Sequence, residues 1–247
     1  MGQVPNNKKT TYLIVGNGKA SRHIQFYFQS LKIPFLVWTR SSSESFDRLA
    51  RQSEKVLVLI KDDEIGKFIF EKKSGVLKNK IFIHFSGLLS LPDAESAHPL
   101  ITFGENLYDP ETYSKITFIT EAGRKSFREL FPELSNTSFQ IPAEQKALYH
   151  AFCVMSGNFT TILWQSFFDY LNKLSIPKES SYLYLQKIAE NIATSDNPLT
   201  GPLQRKDIKT ISRHLEALED DPMKNIYLSF VEFYDSKLKE KIFEKYT

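Results

Sequence analysis

The chain has 247 residues, 41% of them hydrophobic and 25% charged, with a formal net charge of +3 that no basic block concentrates. That length suits one large domain or two modest ones with a real core, and the dispersed charge argues against a nucleic-acid or membrane-surface partner. A single cysteine, Cys153, excludes a disulfide framework and a paired-thiol metal site, so a reducing cytoplasm is the expected compartment.

In chain order, the opening MGQVPNNKK has no apolar signal core, and Asn6 stands where a myristoylation motif wants Ser or Thr. Then comes YLIVG (12–16), an apolar strand-like run that leads through Gly16-Asn17-Gly18 into SRHIQFYFQSL (21–31), a helical pattern. FLVWT (35–39), KVLVLI (55–60), KIFIHF (80–85) and KITFIT (115–120) read as further strands. ESFDRLARQ (44–52), EIGKFIFEKK (64–73) and AGRKSFRELF (122–131) read as the helices between them. Several strands are continuously apolar, as a parallel sheet covered on both faces requires. The alternation predicts a doubly wound α/β domain over residues 1–141.

Beyond residue 141 the strand pattern stops, and residues 142–247 are expected to form an all-helical domain. EQKALYHAFCVMSGNFTTILWQSFFDYLNKL (144–174) is apolar on nearly every face, which predicts a helix buried between the sheet domain and other helices. Met223 to Phe243 places Met223, Ile226, Tyr227, Phe230, Tyr234 and Leu238 at helical spacing, a packing stripe. No apolar run approaches the roughly 18 residues of a membrane span.

Strand, Gly16-x-Gly18-x-x-Ser21, helix fits a dinucleotide fingerprint with Ser in the place of the third small residue. The first glycine permits the tight turn and the second lets backbone approach a pyrophosphate, while the helix N-terminus offers free N–H groups. Gly16, Asn17, Gly18, Lys19, Ala20 and Ser21 are therefore candidate cofactor residues; the alternative is an ordinary strand-to-helix turn. At the end of the second strand an NAD site carries Asp or Glu for the ribose hydroxyl. Here Thr39, Arg40 and Ser41 stand instead, and a guanidinium with hydroxyls matches a 2′-phosphate. NADP(H) is the expected cofactor, unless Arg40 is a solvated loop residue.

IFIHFSGLLS, SAHPLITF, KALYHAFCVMSGNF and NPLTGPLQRKDIKTISRHLEAL resemble, in order and spacing from Thr10 to Leu218, the Rossmann-like oxidoreductases with a helical C-terminal domain of unknown function. These are similar to pyrroline-carboxylate, 6-phosphogluconate and ketopantoate dehydrogenases and reductases. The resemblance implies NADPH-dependent reduction of a small 2-oxo acid, with ketopantoate on the way to pantothenate as the leading substrate. A pyrroline-carboxylate-type imine reductase and a non-catalytic NADP-binding protein are the alternatives. It also implies that the helical half serves substrate binding and homodimerisation. Lys206 departs from the pattern, standing where a glycine is expected in an R-G-D stretch.

Reducing a ketone requires an acid near the carbonyl oxygen and donors for the substrate carboxylate. Lys146 and His150 lie four apart on a helical pattern and so share a face. Lys146 matches the lysine of the ketopantoate reductases and His150 replaces their asparagine; the other readings are a surface lysine and a core histidine. Seven residues on, Gly157 joins the His150 stripe with Asn158 beside it, a catalytic candidate with Lys146 and His150. Ser86, just past the strand KIFIHF, is a cofactor candidate, and His98, Thr200 and Arg205 are substrate candidates, with a loop-fixing role for His98 the alternative. Asp207 is expected to cap a helix or pair with Arg205. The five histidines lack metal-ligand spacing.

Overall fold

The structure is a computed structural model that describes residues 10–244. The N-terminal nonapeptide, with its signal and myristoylation readings, lies outside the described residues. The described residues fall into two compact units that divide between Ser166 and Phe167. The change in sequence pattern at 141/142 therefore precedes the compact division, which falls inside a helix.

The first unit is built on a seven-stranded sheet. Its strands are β1 (Tyr12–Val15), β2 (Phe35–Trp38), β3 (Lys55–Val58), β4 (Ile81–His84), β5 (Glu95–Pro99), β6 (Phe118–Glu121) and β7 (Ser138–Ile141), in the order β2-β1-β3-β4-β5-β6-β7. The first five strands run parallel, while β6 is antiparallel to β5 and β7 follows β6 in parallel. The connecting helices are α1 (Lys19–Ser30), α2 (Phe46–Gln52), α3 (Asp62–Lys72), α4 (Pro110–Ser114) and α5 (Phe127–Leu130).

Strand β1 shows why the apolar runs read correctly. Tyr12 and Ile14 pack with Ile24, Tyr27 and Phe28 of α1 and with Phe127 and Leu130 of α5. Leu13 and Val15 pack with Phe46 and Leu49 of α2 and Ile65 and Ile69 of α3 on the opposite face. All four residues are buried, so a central strand has no polar alternate positions. Two strands were not expected. β5, ESAHP, contains the HPL segment read as a loop, and β7 is the sheet's edge with Phe139 exposed. The helix expected over 122–131 shrinks to the four residues of α5, closed at its start by a capping box between Ser126 and Glu129.

After β7, α6 (Lys146–Val154) runs into a π turn (Met155–Phe159) and then α7 (Thr160–Lys173). This stretch is not the buried helix its composition predicts: Leu148, Phe152, Phe159, Ile162 and Tyr170 are all exposed. Apolar residues around a helix imply a cover, but the covering surface need not be in the same chain. The second unit contains α8 (Tyr182–Thr194), α9 (Ile208–Ala217), α10 (Met223–Tyr234) and α11 (Ser236–Glu244). The C-terminal stripe differs from expectation because the helix breaks at Asp235. Ile211, Leu215, Val231, Leu238 and Ile242 form the core there, with Tyr227 packed against it, while Ile226, Phe230 and Tyr234 are exposed. Among the described residues no helix is long and apolar enough to cross a membrane.

Candidate functional site

Because β2 and β3 flank β1 on opposite sides, the chain reverses direction across the sheet at β1, and the crevice at the strands' C-terminal ends is where open α/β sheets bind ligands. A cavity of about 690 Å³ lies there, lined by Val15 and Gly16 at the end of β1, Trp38 to Arg40 at the end of β2, Val58 to Glu64 from the end of β3 into α3, and Phe85 and Ser86 after β4.

The two glycines of the first turn do different work. Gly16 has φ +110°, and a Cβ on it would lie 2.3 Å from the Leu59 carbonyl oxygen, so the fold itself demands glycine. Gly18 has φ −74° and ψ −178°, open to any residue, and a Cβ there would meet nothing within 4 Å. Neither backbone nor packing requires glycine at position 18. What its missing side chain leaves is open space in front of the α1 N-terminus, where no side chain caps the helix and no acid occupies the first turn. That is a seat for an anion. The start of α3 is the opposite case, because Asp62, Asp63 and Glu64 fill its first turn with the protein's own negative charge.

Of the sequence-derived cofactor residues, Gly16, Asn17, Gly18, Lys19, Ala20, Thr39, Arg40 and Ser86 line the cavity, and Ser21 and Ser41 do not. Ser21 is buried, donates to the Gly16 carbonyl at 2.7 Å and accepts from Gln25, so it braces the turn from behind. Ser41 is exposed and bonded to the Thr39 hydroxyl. The Ser86 hydroxyl is also committed: it donates to the Asp62 carboxylate and accepts from Leu88 N and Leu89 N, which pins this loop to the start of α3. Lys19 and Arg22 pair with Glu105, and Arg40 pairs with Glu64 at 2.9 Å. The helix expected from Glu64 starts two residues earlier, at Asp62, and none of these acids was read as lining the cavity, although acids soon after an apolar strand are the signal of a helix start.

Beside the Ser86 end of the cavity, three segments converge. A Cβ on Gly87 would lie 2.7 Å from His150 Cδ2 and 3.0 Å from His98 Cδ2, so the loop after β4 packs directly on both imidazoles. His98, a strand residue in β5, has its ring 5.8 Å from that of His150 and shares a 2.9 Å hydrogen bond between Nδ1 and the Tyr149 hydroxyl. Burial, reinforced by His150 and Lys146, pushes His98 down to about 4, which keeps it neutral near pH 7. Burial also raises the Tyr149 hydroxyl. Tyr149 is a second residue the sequence reading passed over.

Lys146 is not presented to this cluster as an open acid. It is 3% exposed, donates to Ser96 Oγ at 2.7 Å and stands 3.8 Å from Glu121. Burial lowers its pKa, Arg124 adds to that, and the Glu121 carboxylate opposes it. His84, paired with Ser96 in the sheet register, is fully buried with neither ring nitrogen hydrogen-bonded, and burial, then Lys146 and Arg124, push it down to about 3. Asn158 is exposed within the π turn. That turn holds one residue more than an α turn, so the His150 stripe moves on from Gly157 toward Asn158.

Thr200 and Arg205 belong to the second unit, both exposed on the loop before α9. In that loop Lys206 takes φ +53°, the left-handed conformation of the glycine expected there, with its ammonium held by Asp235 at 2.7 Å. Asp207 caps α9 by accepting from Thr210 N.

Residues 113–232 match the model of a domain of unknown function, DUF2520. No curated protein matches the chain. Among solved structures, a Bacteroides fragilis protein proposed to be an NADP oxidoreductase is 20% identical, with a TM-score of 0.73 over 96% of this chain and 98% of that one. The fold is Rossmann-like. A Thermotoga maritima protein is 22% identical, with a TM-score of 0.68 over 93% of this chain and 98% of that one. Plasmodium falciparum pyrroline carboxylate reductase, solved with NADP bound, is 17% identical, with a TM-score of 0.60 over 95% of this chain and all of that one.

Proposed function

We propose that the protein is an NADP(H)-dependent reductase of a small substrate with a C=N or C=O bond, and that the C=N class fits it better. The observation that carries the cofactor assignment is Gly18, a glycine that neither conformation nor packing requires, at the uncapped N-terminus of α1. The pyrophosphate would sit there, with Gly16 shaping the turn and Asn17, Lys19 and Ala20 around it. Thr39 and Arg40 replace the carboxylate of an NAD site and suit a 2′-phosphate. NADPH, when bound, supplies the hydride.

Gly87, His98 and His150 border the Ser86 end of the cavity and form the reaction site in this reading. His150 is the proton donor or the group that orients the substrate, and neutral His98, tied to Tyr149, holds it in place. The 2-oxo acid reading, with ketopantoate as its substrate, needs Lys146 as the acid, and Lys146 is buried against Ser96 and Glu121. An imine can arrive already protonated, so it places less demand on such a group. Pyrroline carboxylate reductase among the structural neighbours adds support. Asn158 stays a candidate catalytic residue, and Thr200 and Arg205 stay candidates for substrate binding. The exposed apolar face of α6 and α7 supports a homodimer.

The test is NADPH oxidation by purified protein against a panel of cyclic imines and 2-oxo acids, ketopantoate included. Turnover confined to imines bears the proposal out. Turnover of ketopantoate alone transfers it to the 2-oxo acid class, and no turnover of either with tight NADPH binding leaves a cofactor-binding protein without this chemistry.

A further inference from the structure

The two charged groups that meet at the mouth of the cavity are already bound to each other. Arg40, two residues past the end of β2, donates from Nη2 to Oε2 of Glu64 in the first turn of α3 at 2.9 Å, and both residues line the cavity. The Arg40 side chain is 84% exposed and that of Glu64 46%, so solvent reaches the pair and a ligand can displace it. A guanidinium binds phosphate best when two parallel N–H groups face it. With one arm on Glu64, Arg40 does not offer its full fork, and a carboxylate stands where a 2′-phosphate must approach.

We propose that Glu64 is a specificity-determining residue of the cofactor site: its carboxylate competes with the 2′-phosphate for Arg40 and so lowers the preference for the phosphorylated cofactor. The proposal rests on the NADP(H) reading above. A cofactor with a free 2′-hydroxyl makes no demand on Arg40 and binds with the pair intact, so it is indifferent to Glu64. A phosphorylated one has to break the pair first. Exposed ion pairs are weak, which sets the size of the effect at about two- to fivefold in affinity.

The experiment is fluorescence titration of NADPH and NADH against the unmodified protein, Glu64→Gln, Arg40→Ala and the double variant, each checked for fold by circular dichroism. Asp62 and Asp63 still complement the α3 dipole in Glu64→Gln, so that helix start is retained. Glu64→Gln is expected to bind NADPH about two- to fivefold more tightly with NADH unchanged, and the gain is expected to vanish when Arg40 is already alanine. Unchanged or weaker NADPH binding in Glu64→Gln, while Arg40→Ala still removes the NADPH preference, overturns the competition and leaves the cofactor reading standing. A gain that persists without Arg40 also overturns it, because Glu64 then acts on the phosphate directly. If the unmodified protein binds both cofactors equally and Arg40→Ala changes neither, the cofactor reading fails and this proposal with it.

Discussion

Alanine at Gly16 and alanine at Gly18 are expected to move stability in opposite directions and to separate the fold from nucleotide binding. At Gly16, φ +110° is costly for any side chain, and the new Cβ would press on the Leu59 carbonyl from 2.3 Å. Strain of this kind costs about 1–3 kcal/mol, and at about 2–4 °C per kcal/mol for a chain of this size Gly16→Ala should melt roughly 2–12 °C lower. At Gly18 the backbone is in an ordinary extended conformation and the Cβ enters open space, so no native contact is disturbed. The unfolded chain loses freedom instead, which stabilises by about 0.4–1 kcal/mol and raises the melting temperature by roughly 1–4 °C. NADPH affinity should fall nonetheless, because the methyl group occupies the approach to the α1 N–H groups. Loss of one hydrogen bond to a charged oxygen is worth about 1.5–3 kcal/mol, or roughly tenfold to a hundredfold in Kd. Gly18→Val should abolish binding. The assay pairs thermal melts with NADPH fluorescence titration on the same preparations. A folded Gly18→Val protein with unchanged NADPH affinity refutes the reasoning and returns position 18 to a plain turn.

Three further outcomes follow from the site and its surroundings. Lys146→Met should cost about 3 kcal/mol in chemical denaturation, because it strands the buried Glu121 carboxylate, and adding Glu121→Gln should restore much of the loss. Any turnover of the folded protein should stay within about tenfold, and a fall of ~10²–10⁴ would reinstate Lys146 as the acid. His84, held down to about 3, and His98, held down to about 4, stay neutral in the fold while the unfolded chain protonates near 6.5. Their stabilising effect is therefore complete above about pH 6.5 and is lost as pH falls toward those folded values, by up to about 1.4 kcal/mol per pH unit for each. His84→Gln should flatten the slope of stability between pH 6.5 and 4, and an unchanged slope refutes that origin. Phe152→Asp, on the exposed face of α6, should convert a dimer to a monomer in sedimentation velocity, and a monomeric unmodified protein removes the dimer from the reading.

Legibility followed apolar content more than place in the sheet: the edge strand β2, FLVW, was read, whereas β5 and β7 with their polar residues were not. β1 and β3 are buried on both faces, which forces apolar residues at every position of the first and most of the second. β5 pairs with β4 through only Ile83↔Glu95 and His84↔Ser96 before turning its other edge to β6. It carries Glu95, Ser96 and His98, each met by a polar partner, Arg124, Lys146 and Tyr149 in turn, so hydrogen bonds and ion pairs occupy positions that a wholly apolar strand would fill. β7 has one neighbour and a solvent edge, and therefore little hydrophobic constraint. The helix over 144–174 was read from composition as buried, but composition reports only that a cover is needed, not which chain supplies it.

The site shows the same division between what spacing carries and what it leaves out. Gly16 and Gly18 were found together because they sit on one turn, yet only φ and the surrounding space show that the fold requires glycine at the first and leaves the second without such a demand. Lys146 and His150 were placed on one helical face, and that is where they lie, but a shared face fixes an angle around the helix and not a depth. Depth is set by what the face meets. At Lys146 it meets Ser96 of β5 and Glu121 of β6, which bury the ammonium. One turn later, at His150, it meets Gly87, whose missing side chain lets the imidazole and that of His98 lie against the loop after β4. The partners that make one side chain half of an internal ion pair and lay the other against a loop come from strands and loops distant in sequence, and no pattern within the helix could have supplied them.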